Sequence, residues 1–229
     1  MKKKFSIAID GPVGSGKGTL AVALAKKFNA LYINTGAMYR ALTLLCLRKN
    51  LDIRDEEEIL RYLKNCSIEI RTDRNNKQKI FLNGEDVSRE IFLPEITRIV
   101  AYVSAFPKIR KEMVKRQKEI ASKAERAIIE GRDIATDVAP NAELKIFLIA
   151  DLNIRVQRRL QQLKKNGINS TFEEVLKETQ ERDRRDTERQ ASPLTRVPDA
   201  YVLDTTNLSI EETVEQVVKK MKERNIIDD

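Results

Sequence analysis

Residues 11–19, Gly11-Pro12-Val13-Gly14-Ser15-Gly16-Lys17-Gly18-Thr19, combine glycines with one lysine at fixed spacing. Glycines let a backbone wrap closely around an anion, and a nest of N–H groups at a helix start holds phosphate. The apolar run from Phe5 to Ile9 reads as a buried strand before this turn. Leu20, Ala21, Leu24 and Phe28 carry an apolar helical pattern after it. Gly-x4-Gly-Lys between a strand and a helix is the spacing of a P-loop, in which Lys17 reaches the β- and γ-phosphates of a nucleotide. A purely structural glycine turn would need neither the lysine nor this context. One letter departs from the usual form: glycine 18 stands where Ser or Thr is expected, and Thr19 follows. Thr19 is therefore the candidate hydroxyl for a magnesium ion, directly or through water.

Arginines supply the second set of chemical groups. Thr35-Gly36-Ala37-Met38-Tyr39-Arg40 follows a second short strand, Leu31–Asn34, and puts Arg40 on the opening turns of a helix. A guanidinium there can grip a phosphate bidentately. Gly131-Arg132-Asp133 repeats the arrangement after the strand Ala127–Ile129, adding a carboxylate acceptor. Arg182, Arg185, Asp186 and Arg189 fall at offsets of three, four and seven and share one helical face. Arg155, Arg158 and Arg159 form a similar stripe on the preceding helix. Each set has a plainer reading: an exposed helix arginine, an Asp-stabilised turn, or a solvated face paired with Glu178, Glu181 and Glu188. Two facing arginine stripes joined by a short turn at Gly167 fit better a lid that closes over phosphates and excludes water.

Composition narrows the chemistry. The 229 residues contain no histidine, which removes the commonest general base and metal ligand. Carboxylates, lysine and arginine remain, and these suffice for phosphoryl transfer, where positioning and charge stabilisation dominate. Cys46 and Cys66 form no C-x-x-C pair, so zinc and redox readings fail. The formal charge of +8 points to an acidic partner. Glu173, Glu174, Glu178, Glu181, Asp183 and others interleave with the arginines, however, and aromatics make up only 5% with no Trp. A compact nucleotide fits this better than a nucleic acid. No apolar stretch reaches about 18 residues, and the run behind Met1-Lys2-Lys3-Lys4 stops at Asp10. We expect a cytoplasmic, soluble protein without membrane partners, and no feature marks it as more than a monomer.

These groups need elements to hold them. Strands are expected at Phe5–Ile9, Leu31–Asn34, Ala127–Ile129, Leu144–Ala150 and Ala200–Asp204, separated by helices. Such a pattern predicts an α/β fold: a five-stranded parallel sheet covered on both faces, with ligands at the carboxyl ends of the strands. Helices are expected over 37–49, 55–64, 94–105, 108–123 and 153–165, and from the Ser170-Thr171 cap to about Gln190, with a last one opened by Ser209. Alternation in Ser67–Thr72 and Lys79–Leu82, around a polar turn at 73–77, predicts a small antiparallel insertion.

The form Gly-Pro-x-Gly-Ser-Gly-Lys-Gly-Thr resembles the P-loop of nucleoside monophosphate kinases. Together with Thr35–Arg40, Phe106-Pro107-x-x-Arg110, Gly131-Arg132-Asp133 and Arg182-Asp183-x-Arg185-Asp186-x-x-Arg189, it resembles the bacterial cytidylate kinase family over essentially the whole chain. The resemblance implies a P-loop NTPase fold with an inserted monophosphate-binding region (about 35–105), an arginine-rich helical lid (about 154–190) and a core made of the rest (about 1–34, 106–153 and 191–229). It implies transfer of the γ-phosphate of MgATP to CMP or dCMP. Gly11 to Thr19 would hold ATP; Arg40 and Arg132 the acceptor phosphate; Thr35, Tyr39, Arg110 and Asp133 the cytosine side. Arg182 and Asp186 would approach ribose and phosphate, and Arg158, Arg159 and Arg189 the transferred group. Asp133 would accept from the cytosine 4-amino group, which uracil lacks. Three positions depart from that pattern: Asn34 where Asp is frequent, Ala101 where some relatives carry Ser, and a more polar segment at 134–140. A smaller kinase of the shikimate or gluconate type, and a basic nucleotide-dependent nucleic-acid-binding protein, are the competing readings. The insertion and the acid-paired arginines count against them.

Overall fold

The computed structural model describes residues 4–72, 78–165 and 167–228. The predicted turn at 73–77, the first three residues and Asn166 lie outside the described residues. Five strands form one parallel sheet in the order β2-β6-β1-β7-β8: β1 Phe5–Asp10, β2 Leu31–Asn34, β6 Arg126–Glu130, β7 Leu144–Ile149 and β8 Tyr201–Asp204. In central β1, Ile7, Ala8 and Ile9 are wholly buried, because a parallel strand covered on both faces must be apolar on both. The register pairs Ile9 and Asn34 with Glu130, Asp10 with Phe147, and Ile149 with Asp204. Asp10, Asn34, Glu130 and Asp204 therefore share one edge, the carboxyl edge expected to carry the site.

Helices follow the sequence signals closely. After the loop comes α1 (Lys17–Phe28), and α2 (Thr35–Arg48) opens with the Asn34 side chain accepting from the Ala37 N–H. Then come α3 (Glu56–Asn65), α4 (Pro94–Val103), α5 (Pro107–Lys123), α6 (Leu152–Lys165), α7 (Phe172–Glu188) and α8 (Ile210–Glu223). Reciprocal capping boxes, Thr171 with Glu174 and Ser209 with Glu212, start the last two. The insertion has a third strand: β3 (Ile68–Thr72), β4 (Gln78–Leu82) and β5 (Glu85–Asp86). Two residues are too few to show a period, so β5 leaves no sequence signal.

Apolar packing gathers in separate clusters. Met38, Leu42, Ile59, Leu63, Val103 and Met113 belong to a core built from α2–α5 and the insertion. Ile7, Leu20, Leu24, Ile146 and Val217 lie on one face of the large sheet, and Ile33, Ile129, Ile134 and Val138 on the other. The helices α6 and α7 share a small cluster of their own, Val156, Leu163 and Val175. Among the described residues, no helix is long and apolar enough to cross a membrane.

After β6 the chain makes a single π-type turn, Ile134–Val138. Asp10 fixes it: its carboxylate accepts from the Ile134 N–H at 3.0 Å and the Ala135 N–H at 2.8 Å. Burial raises the Asp10 pKa to about 6 despite these bonds. Folded Asp10 thus holds its proton at pH values where the unfolded chain has lost it, so its contribution to stability falls as pH rises from about 4 through 6. Asp10→Ala is expected to cost ~1–3 kcal/mol at pH 5 by stranding two buried donors, and less at pH 7.5. Urea denaturation at both pH values checks this; an equal loss at both would remove the burial argument.

Candidate active site

The loop at the end of β1 has its predicted form. Gly11, Gly14 and Gly16 all have positive φ. A Cβ on Gly11 would lie 2.3 Å from the Leu148 carbonyl oxygen, and one on Gly14 would lie 2.9 Å from Arg155 Cβ. Glycine is therefore needed both for backbone conformation and for close approach to β7 and α6. Lys17 is buried, and its Nζ curls back to donate to the Pro12 carbonyl at 2.6 Å, with Ser15 Oγ 3.5 Å away. Burial, aided by Arg132, holds its pKa well below the ordinary lysine value, while Glu130 and Asp186 oppose the shift. Thr205, after β8, buttresses the loop by donating to the Ser15 carbonyl at 3.1 Å.

Across the edge lies a convergence of cations. Arg40 Nη1 donates to Thr97 Oγ1 at 2.8 Å and the Ile91 carbonyl at 3.2 Å, and its guanidinium lies 5.3 Å from the Phe92 ring centre. Burial first, then Arg182 and Arg159, push its pKa down to about 9. Burial, Arg132 and Arg159 bring Arg182 down to about 10, against the pull of Asp186. Arg159 bonds Gln162 at 2.7 Å. Among the described residues, Lys17, Arg40, Arg159 and Arg182 form no ion pair, although each feels other cations or buries its charge. Arg132 differs: its Nε meets Asp186 at 2.7 Å, which outweighs burial and keeps the guanidinium charged. Arg132 and Arg182 in turn hold the Asp186 carboxyl below its usual range in spite of burial.

Beside this convergence, Asp133 is 3% exposed and paired with Arg110, which also donates to the Ser104 carbonyl at 2.9 Å. Arg189 Nη2 stands 3.8 Å from Asp133, while its Nε donates to the Ser192 carbonyl at 2.7 Å. The Arg110 guanidinium lies 5.2 Å from the centre of the Tyr39 ring. Tyr39 Oη, Arg110 Nε and Arg189 Nη2 are buried without a hydrogen-bond partner. Nearly every buried polar atom in a folded protein is paired, so these three atoms hold hydrogen-bonding capacity that the protein's own groups leave unused.

Several predicted residues sit otherwise than their spacing suggested. Arg185 is exposed and pairs with Glu181 at 3.3 Å, leaving Arg182, Asp186 and Arg189 as the inward face of α7. Arg155 is buried and grips the Val13 carbonyl at 3.0 Å and Asp183 at 2.5 Å, not the phosphate space. Arg158 donates to Thr205 Oγ1 at 3.0 Å and to its carbonyl at 2.6 Å. Thr35 is buried with its hydroxyl donating to the Glu130 carbonyl at 2.8 Å. Thr19 is exposed on α1. No group of three or more Cys, Asp or Glu side chains able to hold a metal occurs among the described residues. The donor set therefore does not fit a resident metal cage.

Sequence reading gave no site role to Asp183 or Glu130. Asp183 accepts from the Val13 N–H at 3.1 Å, so α7 touches the P-loop directly. Glu130 accepts a short bond from the Tyr32 hydroxyl and faces Gly18. Asp183 stood inside a quoted motif and read as one of the acids interleaved with the arginines; Glu130, one residue before another motif, carried no reading.

Known proteins agree with this geometry. A family model described as Cytidylate kinase matches residues 7–223. Cytidylate kinase from Bacillus cytotoxicus is 44% identical over 97% of this chain and 98% of that protein. Cytidylate kinase from Bacillus thuringiensis is 45% identical over 95% of this chain and 96% of that protein. A solved structure, an uncharacterized protein from Eubacterium ventriosum, superposes with TM-score 0.52 at 13% identity over 96% of this chain and 99% of that one, a likeness of fold alone. The loop, the paired and unpaired arginines and their order along the chain thus have one common explanation: this chain belongs to the cytidylate kinase family.

Proposed function

We propose that the protein transfers the γ-phosphoryl group of MgATP to the 5′-phosphate of CMP or dCMP, reversibly giving ADP and CDP or dCDP. The observation that carries this is the meeting of two unlike surfaces at one sheet edge. Lys17, Arg40, Arg159 and Arg182 converge there with no ion pair among the described residues, beside the buried Arg110–Asp133 pair. The first set calls for phosphates. The second offers donors beside an acceptor, the complement of the cytosine edge, whose 4-amino group donates while N3 and O2 accept.

In this reading, residues 11–19 cradle the ATP phosphates and Lys17 swings from Pro12 to the β- and γ-phosphates. Arg40 and Arg182 hold the acceptor phosphate and Arg132 bridges the two nucleotides. One oxygen of the acceptor phosphate attacks the γ-phosphorus, and the bond to the β–γ bridging oxygen breaks, leaving its electron pair on ADP. No general base is required, because the acceptor oxygen is already an anion near neutral pH. Arg159 and Arg189 compensate the charge that develops, and Arg158 anchors α6 at Thr205. Positioning and charge stabilisation supply most of the rate in such transfers.

Magnesium enters as part of the substrate: a hard cation that keeps several waters and is held mainly by phosphate oxygens needs no protein cage. Residues 35–105 serve as the acceptor region and 154–190 as the lid over a core made of the rest. The protein acts on soluble nucleotides as a cytoplasmic monomer. Its two buried, unpaired thiols are compatible with a reducing compartment.

An ADP-release assay with CMP, dCMP, UMP, AMP, shikimate and gluconate tests the reading. CMP or dCMP should give the highest kcat/KM; fastest turnover with UMP, AMP or a non-nucleotide acceptor would sink it. Lys17→Met is expected to lose ~10²-fold or more in kcat with an unchanged circular dichroism spectrum, and near-normal turnover would refute the role of the loop. For Arg182→Gln, relief of cation repulsion should leave the ligand-free melting temperature equal or higher, while kcat/KM for CMP falls by ~10²-fold, ~3 kcal/mol. A fall in melting temperature with full activity would reverse that assignment.

A further inference from the structure

Gln117 lies on the inward face of α5, on the same stripe as Arg110 and Met113 and about two turns beyond Arg110. It is 1% exposed and stands about 10 Å along the helix from Arg110. Its amide approaches the Tyr39 hydroxyl, yet neither Gln117 Nε2 nor Tyr39 Oη completes a hydrogen bond. Leucine or methionine would pack this helix face without stranding an amide, so packing does not explain a glutamine here. Tyr39 lies under the Arg110 guanidinium, Arg110 pairs with Asp133, and Arg110 Nε and Arg189 Nη2, the latter 3.8 Å from Asp133, are unpaired as well. A row therefore runs from Gln117 through Tyr39 and Arg110 to Asp133.

We propose that Gln117 is a positioning residue for base recognition: by donating to the Tyr39 oxygen, it turns the Tyr39 hydroxyl proton toward the base pocket. This rests on the reading of the Arg110–Asp133 pair as the cytosine site. A phenol is both donor and acceptor. Once its oxygen receives the Gln117 N–H, it presents a donor to the pocket and suits an acceptor atom of the base. Without Gln117 the hydroxyl can turn either way, meeting N3 of cytosine as a donor or N3–H of uracil as an acceptor. Gln117 thus biases the pocket against uracil from behind the first layer of contacts.

The test compares wild type, Gln117→Met, Tyr39→Phe and the double variant for CMP, UMP and ATP, after wild type has been shown to prefer CMP. Methionine keeps the length and burial of glutamine, and Tyr39→Phe removes the same bond from the other side. We expect Gln117→Met to raise KM for CMP about tenfold, to keep kcat within about threefold, to leave KM for ATP unchanged and to narrow the CMP-to-UMP ratio. The double variant should be no worse than the poorer single one. KM for CMP and the CMP-to-UMP ratio both within twofold of wild type would overturn the proposal. So would equal losses for CMP and ATP, or strictly additive effects. If Gln117→Met fails to fold, Gln117→Leu decides by the same readouts: an unchanged CMP-to-UMP ratio overturns the proposal and a narrowed one with unchanged KM for ATP upholds it. A wild type inactive on CMP would fail the functional reading itself, an outcome distinct from an active wild type with an indifferent variant.

Discussion

Buried cations outnumber the carboxylates available to them at the carboxyl edge of the sheet, and the rest of the site depends on that imbalance. Asp133 serves Arg110 and stands near Arg189; Asp186 serves Arg132 and stands near Arg189; Asp183 serves Arg155. Arg40 and Arg182 are left with pKa values pushed down to about 9 and about 10, by burial first and then by Arg182 and Arg159 for Arg40, and by Arg132 and Arg159 for Arg182. Isolated charges are costly to desolvate, so the fold carries this repulsion until anions arrive. A ligand that binds only the folded state returns stability by mass action. The same deficit that costs the fold stability therefore favours binding of phosphate-bearing molecules.

Charge also decides how α6 and α7 sit. Their own apolar cluster is small, and much of their attachment is ionic. Val13 is held by both backbone groups: its N–H donates to Asp183 at 3.1 Å and its carbonyl accepts from Arg155 at 3.0 Å. Asp186 ties the same helix to Arg132 after β6. Elements with little apolar burial open at low free energy, and here the ties that hold them end on the P-loop and on Arg132 after β6. Any movement of α7 is thereby felt at both of those places.

The sheet was legible because its strands are continuous apolar runs, and the last two helices because they begin at Thr171 and Ser209 with side-chain caps. The P-loop was legible because glycine spacing encodes backbone conformation directly. Arginine partners were not. Spacing placed Arg155, Arg158 and Arg159 on one stripe, yet Arg155 turns to Val13, Arg158 to Thr205 and Arg159 toward the cation cluster. A helical offset fixes the face a residue occupies, and a long side chain then chooses among targets several ångströms apart. Arg185 shows the converse: it had the offset of an inward residue, but Glu181 one turn away offered an exposed partner. Gln117 gave no signal because a single glutamine in a charged helix looks solvated until its burial is known.

Glycine 18, the irregular letter of the loop, has a packing reason. A Cβ there would lie 3.2 Å from Glu130 Oε1 and 3.6 Å from the Tyr32 hydroxyl. The space a Ser or Thr side chain would need is already taken by a carboxylate at the end of β6. Tyr32 donates to that carboxylate, Asn34 Nδ2 donates to Tyr32 at 3.2 Å, and the charge of Glu130 supports that of Lys17 one residue away. Asn34 completes this row as a neutral donor. An aspartate in its place could not donate to the tyrosine and would set a second negative charge near Glu130. The glycine, the asparagine and the glutamate are thus one compensated arrangement around Lys17. Changing any one of them alone strands a donor, crowds the helix start or adds unpaired charge.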